Sequence, residues 1–221
     1  MNKFINVVLL FVLFPTMLLT VFVGFDLPLN FLKTTGQFLP YKFEVFLGIG
    51  IFILILLLRR TVRRWMGIKI VTKTKKFKWN AAVSSARKKR VVTYLSLEAV
   101  IMLFLGTALY SVTNDAWAPA AAFLFGTIDS LLFIIIGLSK NAFRVGISSK
   151  ALIVADREVT LLYFTGLRKV STHQQTVYFD YIKDLQLSFP IDCVQEENQV
   201  EFFEILEAQF DPERVYFTKK K

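Results

Sequence analysis

Four long apolar runs divide the chain, and between the second and the third lies a block of opposite character. Residues 4–25 carry no charge over 22 positions, and only Asn6, Pro15, Thr16 and Thr20 interrupt the apolar run. As a helix such a run crosses about 30 Å of hydrocarbon. It is longer than the ~7–15 apolar residues of a secretory signal, and no small-x-small cleavage pattern follows it. The pattern therefore predicts a retained first span over 4–25, with Pro15 as a kink that a membrane helix tolerates. A second span is predicted over 41–58, ending at Arg59, with Arg59 and Arg60 snorkelling towards headgroups. The third and fourth are predicted over 91–112 and 118–138. A tight turn joins them, with Asn114 and Asp115 as turn formers, Trp117 at the interface and Pro119 in the first helical turn.

From residue 139 onward the pattern changes to short alternating segments rich in β-branched and aromatic residues. Segments 143–147, 151–155, 159–164, 167–170, 176–179 and 182–189 read as strands, separated by turns at Ser148-Ser149, Asp156-Arg157 and Thr165-Gly166. Phe202, Phe203, Leu206 and Phe210 recur at helical spacing and Pro212 stops the pattern, so one amphipathic helix is expected there. The fold class is then membrane α+β: a four-span bundle over 1–138 and a small β-rich domain with a C-terminal helix over 139–221.

The paired strands around Ser148–Val154 and the segment Phe179-Asp180-Tyr181-Ile182-Lys183-Asp184-Leu185 resemble bacterial pleckstrin-homology-like (PH-like) domains. The resemblance covers about 80 residues at the C-terminal end and none of the four spans. It implies a seven-stranded bent sheet closed by a C-terminal helix, in a domain that binds protein or lipid headgroups.

Composition agrees with a membrane protein: 54% of residues are hydrophobic and Phe alone contributes 23, against ~45–50% apolar in ordinary globular chains. Charge adds the topology. Residues 59–90 hold 13 of the 27 Lys and Arg and no Asp or Glu, whereas 139–221 hold 11 cations against 12 acids. A cationic block beside apolar spans stays on the cytoplasmic side, where the leaflet is anionic. Both termini are then cytoplasmic, in a multi-pass protein of the inner membrane. Within the block, Arg59, Arg60, Arg63, Arg64, Lys73, Lys75, Lys76 and Lys78, interleaved with Trp65 and Trp79, are expected to lie on the membrane surface and bind anionic headgroups. Ile68–Val71 read as extended and 80–90 as a short helix leading into the third span. Basic residues among aromatics also suit nucleic acid, but spans on both flanks assign this block to lipid.

Two acids fall in the interior of predicted spans, Glu98 and Asp129, whereas Glu44 stands at the start of the second. Exposing a carboxylate to hydrocarbon costs at least ~2.5–3.5 kcal/mol, so both are expected to face the bundle interior at similar depth. Tyr94, Glu98, Met102, Gly106 and Tyr110 form an i, i+4 stripe; Ala122, Gly126, Ser130 and Gly137 form a small-residue stripe beside Asp129. Apart from Lys42 at the start of the second, no Lys or Arg lies within the predicted spans to neutralise these acids. The sequence leaves two readings of an intramembrane polar site made of Glu98, Asp129, Tyr94, Tyr110 and Ser130. It binds ions or protons, or it holds the bundle together by hydrogen bonds. His173 reads as a solvated turn residue and Cys193 as a small buried apolar group. There is no Gly-rich phosphate loop, GxSxG or HExxH, so no enzyme, cofactor or metal is expected. The expected function is a non-enzymatic, membrane-anchored interaction module. Its partners are anionic lipids and an unidentified protein, with a homo-oligomer also open. The alternative is a small transporter or channel component using Glu98 and Asp129.

Overall fold

The structure is a computed structural model. It describes residues 2–29, 33–182, 185–211 and 215–218, with side chains from residue 7 onward. It is mixed α+β, with four long apolar helices: α1 (Asn2–Gly24), α2 (Lys42–Val71), α3 (Ser85–Val112) and α4 (Trp117–Ser139). All four are long and apolar enough to cross a membrane. Between α1 and α2, β1 (Pro28–Leu29) pairs antiparallel with β2 (Thr34–Thr35). The helix ends differ from the hydropathy boundaries. Helix α2 continues past Leu58 to Val71, so Arg59–Arg64 and Ile68–Val71 are helical rather than a surface linker and an extended segment. Helix α3 begins at Ser85, so 85–90 are helical and lead into the third span as expected, in one helix continuous with it. Hydropathy marks where lipid-compatible sequence stops, not where a helix stops, and Arg, Met, Ile and Lys all propagate helix.

The chain forms two compact units, residues 1–62 with 95–133 and residues 63–94 with 134–221. The first unit is helical. Its core is built from Val23, Phe46, Ile53, Leu57, Met102, Leu109, Ala122 and Phe123. Polar residues in these apolar segments are satisfied locally. The Thr16 and Thr20 hydroxyls donate to the Val12 and Thr16 carbonyls, at 2.6 and 2.7 Å. Gly50 lets α2 approach α4 closely, because a Cβ there would meet the Ala118 carbonyl carbon at 2.6 Å. At the α3–α4 turn, Thr113 accepts from the Asp115 amide. Asp115 also pairs with Lys42, at the start of α2, at 2.7 Å.

The second unit is β-rich and takes in the end of α2, the start of α3 and the end of α4. Its first sheet is an antiparallel meander of β3 (Trp79–Ala82), β4 (Arg144–Ile147), β5 (Ala151–Ala155) and β6 (Val159–Tyr163). In its second sheet, β7 (Leu167–His173), β8 (Thr176–Tyr181) and β9 (Gln186–Pro190) form a second antiparallel meander, and β10 (Tyr216–Thr218) joins β7 in parallel. Helix α5 (Gln199–Glu207) follows β9 and buries Phe202 and Leu206 completely. Phe210 lies beyond α5 and packs edge-on against Phe164, with ring centroids 5.0 Å apart. Two expectations change here. Residues 79–82 are strand, not the opening of a helix. The last strand of the second meander begins at Gln186, while Lys183 and Asp184 of the resemblant segment lie outside the described residues.

The ends of α2 and α4 pack against the first sheet and the residue that leads into it. Val71, at the end of α2, is fully buried in a cluster with Ala151, Ile153 and Ala155. Gly67 abuts Val159 so tightly that a Cβ would come within 1.8 Å of it. Gly137, near the end of α4, abuts the Phe143 ring.

Candidate functional site

Helix α2 carries Arg60 and Thr61 in its helical-unit portion, α3 carries Glu98, and α4 carries Asp129 and Ser130. These five side chains form one polar cluster. The Arg60 guanidinium pairs with the Glu98 carboxylate, and the Ser130 hydroxyl donates to Glu98 Oε1 at 3.0 Å. The Thr61 hydroxyl donates to Asp129 Oδ2 at 2.8 Å. Arg60, Asp129 and Ser130 are buried, at 7%, 8% and 1% exposure. Small residues on α4 make room for this arrangement: Ala122, Gly126 and Ser130 are all buried, and a Cβ at Gly126 would meet Met102 Sδ at 2.7 Å.

The expectation that the acids have no cationic counterpart is therefore corrected: Arg60 supplies one. It was legible only as a snorkelling residue at a span end. Because α2 continues, Arg60 lies on a helical turn that leaves Arg59 and Val62 exposed and buries Arg60 against Glu98. The tyrosines of the stripe do not join the cluster. Tyr94 and Tyr110 are 54% and 53% exposed. A spacing of four residues drifts about 40° per step on a helix of 3.6 residues per turn, so Tyr110 has turned about 120° away from Glu98. Tyr94 instead lies under the Arg157 guanidinium, 5.3 Å from its ring centroid.

The cluster's depth follows from helical rise. Counted from the Lys42–Asp115 pair, Arg60 is about 27 Å along α2 and Glu98 about 26 Å along α3, while Asp129 is about 21 Å along α4. If the bundle crosses ~30 Å of hydrocarbon, the Arg60–Glu98 pair lies near its far boundary, not at its midplane.

The basic block separates into two populations. Arg60 and Arg64 are buried, Arg63 and Trp65 are half-buried, and Arg59 is exposed on α2. Trp79 is buried in β3, where its Nε1 donates to Glu201 at 3.1 Å and its ring packs edge-on against Phe202. It is a core residue of the β-rich unit, not an interfacial anchor. Lys73, Lys75, Lys76 and Lys78 remain fully exposed around the single 3₁₀ turn Thr74–Lys76 that joins α2 to β3. Their side chains form the solvent-facing cationic patch of this connection.

Elsewhere in the β-rich unit, Ser84 caps α3: its hydroxyl accepts from the Arg87 amide at 3.2 Å. Arg87 pairs with the buried Asp156 at 2.7 Å and Arg90 with Asp192 at 2.7 Å. Sequence reasoning missed these pairs because their partners lie 69 and 102 positions away. Cys193 is buried, and burial pushes its thiol up to about 12, so at neutral pH it is a protonated thiol and a poor nucleophile. His173 is exposed at the end of β7. Among the described residues, no three His, Cys, Asp or Glu side chains gather as metal ligands.

Comparison of the chain with protein-family models, with curated proteins and with solved structures gives no match.

Proposed function

We propose that this chain is a multi-pass protein of the cytoplasmic membrane that works as a non-enzymatic, membrane-anchored interaction module. Its β-rich unit is read as PH-like and binds a protein or a lipid headgroup, and the lysines between α2 and β3 face the anionic leaflet. One observation carries the reading: the ends of α2 and α4 pack against the first sheet of the β-rich unit and the residue before it, through Val71, Gly67 and Gly137, and the start of α3 pairs with its β5–β6 turn through Arg87 and Asp156. Lys73, Lys75, Lys76 and Lys78 are exposed on that same unit. The PH-like reading takes β4 to β9 as its strands, with β3 from before α3 as the seventh and α5 as the closing helix, and leaves β10 as an addition to the second sheet.

The transporter alternative places an ion or proton site at Glu98 and Asp129. Pairing of Glu98 with Arg60 and Ser130, and of Asp129 with Thr61, favours a structural role for both acids. Carboxylates already engaged by a guanidinium and hydroxyls would have to exchange those partners for an ion.

Topology gives the test. Cys193 is buried with its thiol protonated, so the wild-type chain is a low-background host for new cysteines. With both termini cytoplasmic, Gln37→Cys and Asn114→Cys are expected to react with an impermeant maleimide added to intact cells. Thr74→Cys is expected to react only after lysis. Labelling of Thr74→Cys from outside would invert the arrangement and remove the inner leaflet as the partner of the lysine patch.

A further inference from the structure

The four cations that open α3 divide between two faces of the helix. Arg87 and Arg90, three positions apart, pair with Asp156 and Asp192, each at 2.7 Å. Lys88 and Lys89 lie between them in sequence, and among the described residues neither is paired with a carboxylate. The Lys88 ammonium donates to Asn141 Oδ1 at 2.8 Å, a neutral partner that leaves its charge uncompensated. Ser85, Lys88, Lys89, Val92 and Thr93 are spaced i, i+3, i+4, i+7 and i+8, which is one helical face. That face lines a cavity of about 370 Å³, together with Leu138 near the end of α4 and Gln195 ahead of α5. The lining contains both lysines and no Asp or Glu, so it carries two positive charges in excess. Ser85 is the first residue of the 28-residue α3, so the positive end of the helix dipole adjoins the same cavity. Gln195 accepts from Asn198 through Oε1 at 3.4 Å, which leaves its amide N–H groups to donate.

We infer that this cavity seats the phosphate of one anionic lipid, whose acyl chain runs along α4 past Leu138 and Ile135. Two ammonium groups on adjacent residues act on a phosphate as point charges. The lipid source follows from what lies below them. On α3 the apolar sequence begins at Val91, directly after the four cations; on α4 it ends at Leu138, before Ser139 and Lys140. Both helices therefore place the cavity where charged sequence gives way to apolar sequence, the headgroup level of a membrane helix. Basic pockets between helix ends on the cytoplasmic side suit lipid phosphates. Ile135 and Leu138 are both exposed and three positions apart, so they continue the apolar wall of Val92 away from the lysines. A free phosphate would use the polar half of this site alone. The inference rests on the membrane reading above and adds to it one stoichiometric site, on residues outside the Lys73–Lys78 patch.

Native mass spectrometry of the full-length protein in neutral detergent tests it. The probes are dioleoylphosphatidylglycerol, dioleoylphosphatidylcholine and inorganic phosphate. The proteins are the wild type, Lys88→Gln, Lys89→Gln, the double variant, Lys88→Arg, and a charge-matched control with Lys75 and Lys76 changed to Gln. Lys88 and Lys89 both reach solvent, so these variants are expected to fold, which far-ultraviolet circular dichroism checks. The wild type is expected to retain one phosphatidylglycerol in preference to phosphatidylcholine. Each single Gln variant should bind it about tenfold more weakly, as for the loss of one charge-assisted hydrogen bond. The double variant should lose the preference, while Lys88→Arg and the control should bind as the wild type does. Retention unaffected by the double variant, or weakened equally by the control, would overturn the site. Equal retention of phosphatidylcholine would overturn it as well. Displacement of the lipid by an equal concentration of inorganic phosphate would overturn the lipid as the source and assign the site to free phosphate. The membrane reading fails separately, through the maleimide labelling described above, which involves neither Lys88 nor Lys89.

Discussion

Arg60→Met is expected to destabilise the helical bundle by about 3 kcal/mol, read as a lowered melting temperature of the full-length protein in detergent or nanodiscs. Breaking a buried ion pair leaves the remaining charge desolvated, at a cost of about 3–5 kcal/mol when burial is complete. Glu98 retains 21% side-chain exposure, which places the expectation at the lower end. Glu98→Gln keeps the acceptor for the Ser130 hydroxyl but removes the carboxylate charge that pairs with the 7%-exposed Arg60, so it too should destabilise. Arg60→Met combined with Glu98→Met should recover most of the loss, because a matched apolar pair removes both charges together. Activity separates the two functional readings. If the cluster is a structural clamp, the double variant folds and any cellular phenotype of the protein is retained. If Glu98 carries an ion, the double variant folds and the phenotype is lost.

Trp79→Ala is expected to have the other large effect, on the β-rich unit. Truncating a buried Trp costs about 3–5 kcal/mol, and here it also empties the space against Phe202, itself 0% exposed. Trp79→Phe keeps the edge-on ring contact and loses the bond to Glu201, a cost of about 1 kcal/mol. Thermal unfolding followed by far-ultraviolet circular dichroism ranks the three proteins as wild type, then Phe, then Ala. An interfacial role, the one the basic surroundings of Trp79 imply, would give a different pattern: unchanged unfolding and weaker association with vesicles.

These two residues also show what the sequence discloses and what it withholds. Apolar runs of twenty or so residues disclose themselves, because crossing hydrocarbon is a demand on composition alone, and all four coincide with long helices. Strands β4 to β8 disclose themselves too, since each is a short run rich in β-branched, aromatic or other apolar residues with a turn close behind it. Strand β3 does not. Its partner β4 is more than 60 positions away in the chain, beyond α3 and α4, and WNAA among lysines has no alternation of its own. Trp79 therefore looks interfacial until the pairing is known. Arg60 is hidden by a different mechanism. Hydropathy ends at Leu58, so Arg59 and Arg60 read alike, and only the helical continuation decides that one is exposed and the other is turned inward to Glu98. The small-residue face of α4 is legible because close packing needs Gly, Ala or Ser. The Tyr94–Tyr110 stripe is misleading because spacing by four is not quite the helical period.

The account depends on the β-rich unit meeting an anionic surface through the lysines that join α2 to β3. A fluorophore attached at Thr74→Cys reports this directly, in full-length protein reconstituted into nanodiscs containing a headgroup-level quencher. Quenching is expected to be stronger in phosphatidylglycerol discs than in phosphatidylcholine discs and to weaken as salt is raised, since each lysine contributes about 1 kcal/mol near an anionic leaflet. It should fall to the phosphatidylcholine level when Lys73, Lys75, Lys76 and Lys78 are changed to Gln. Equal quenching in both lipids, unchanged by the four substitutions, would contradict the account.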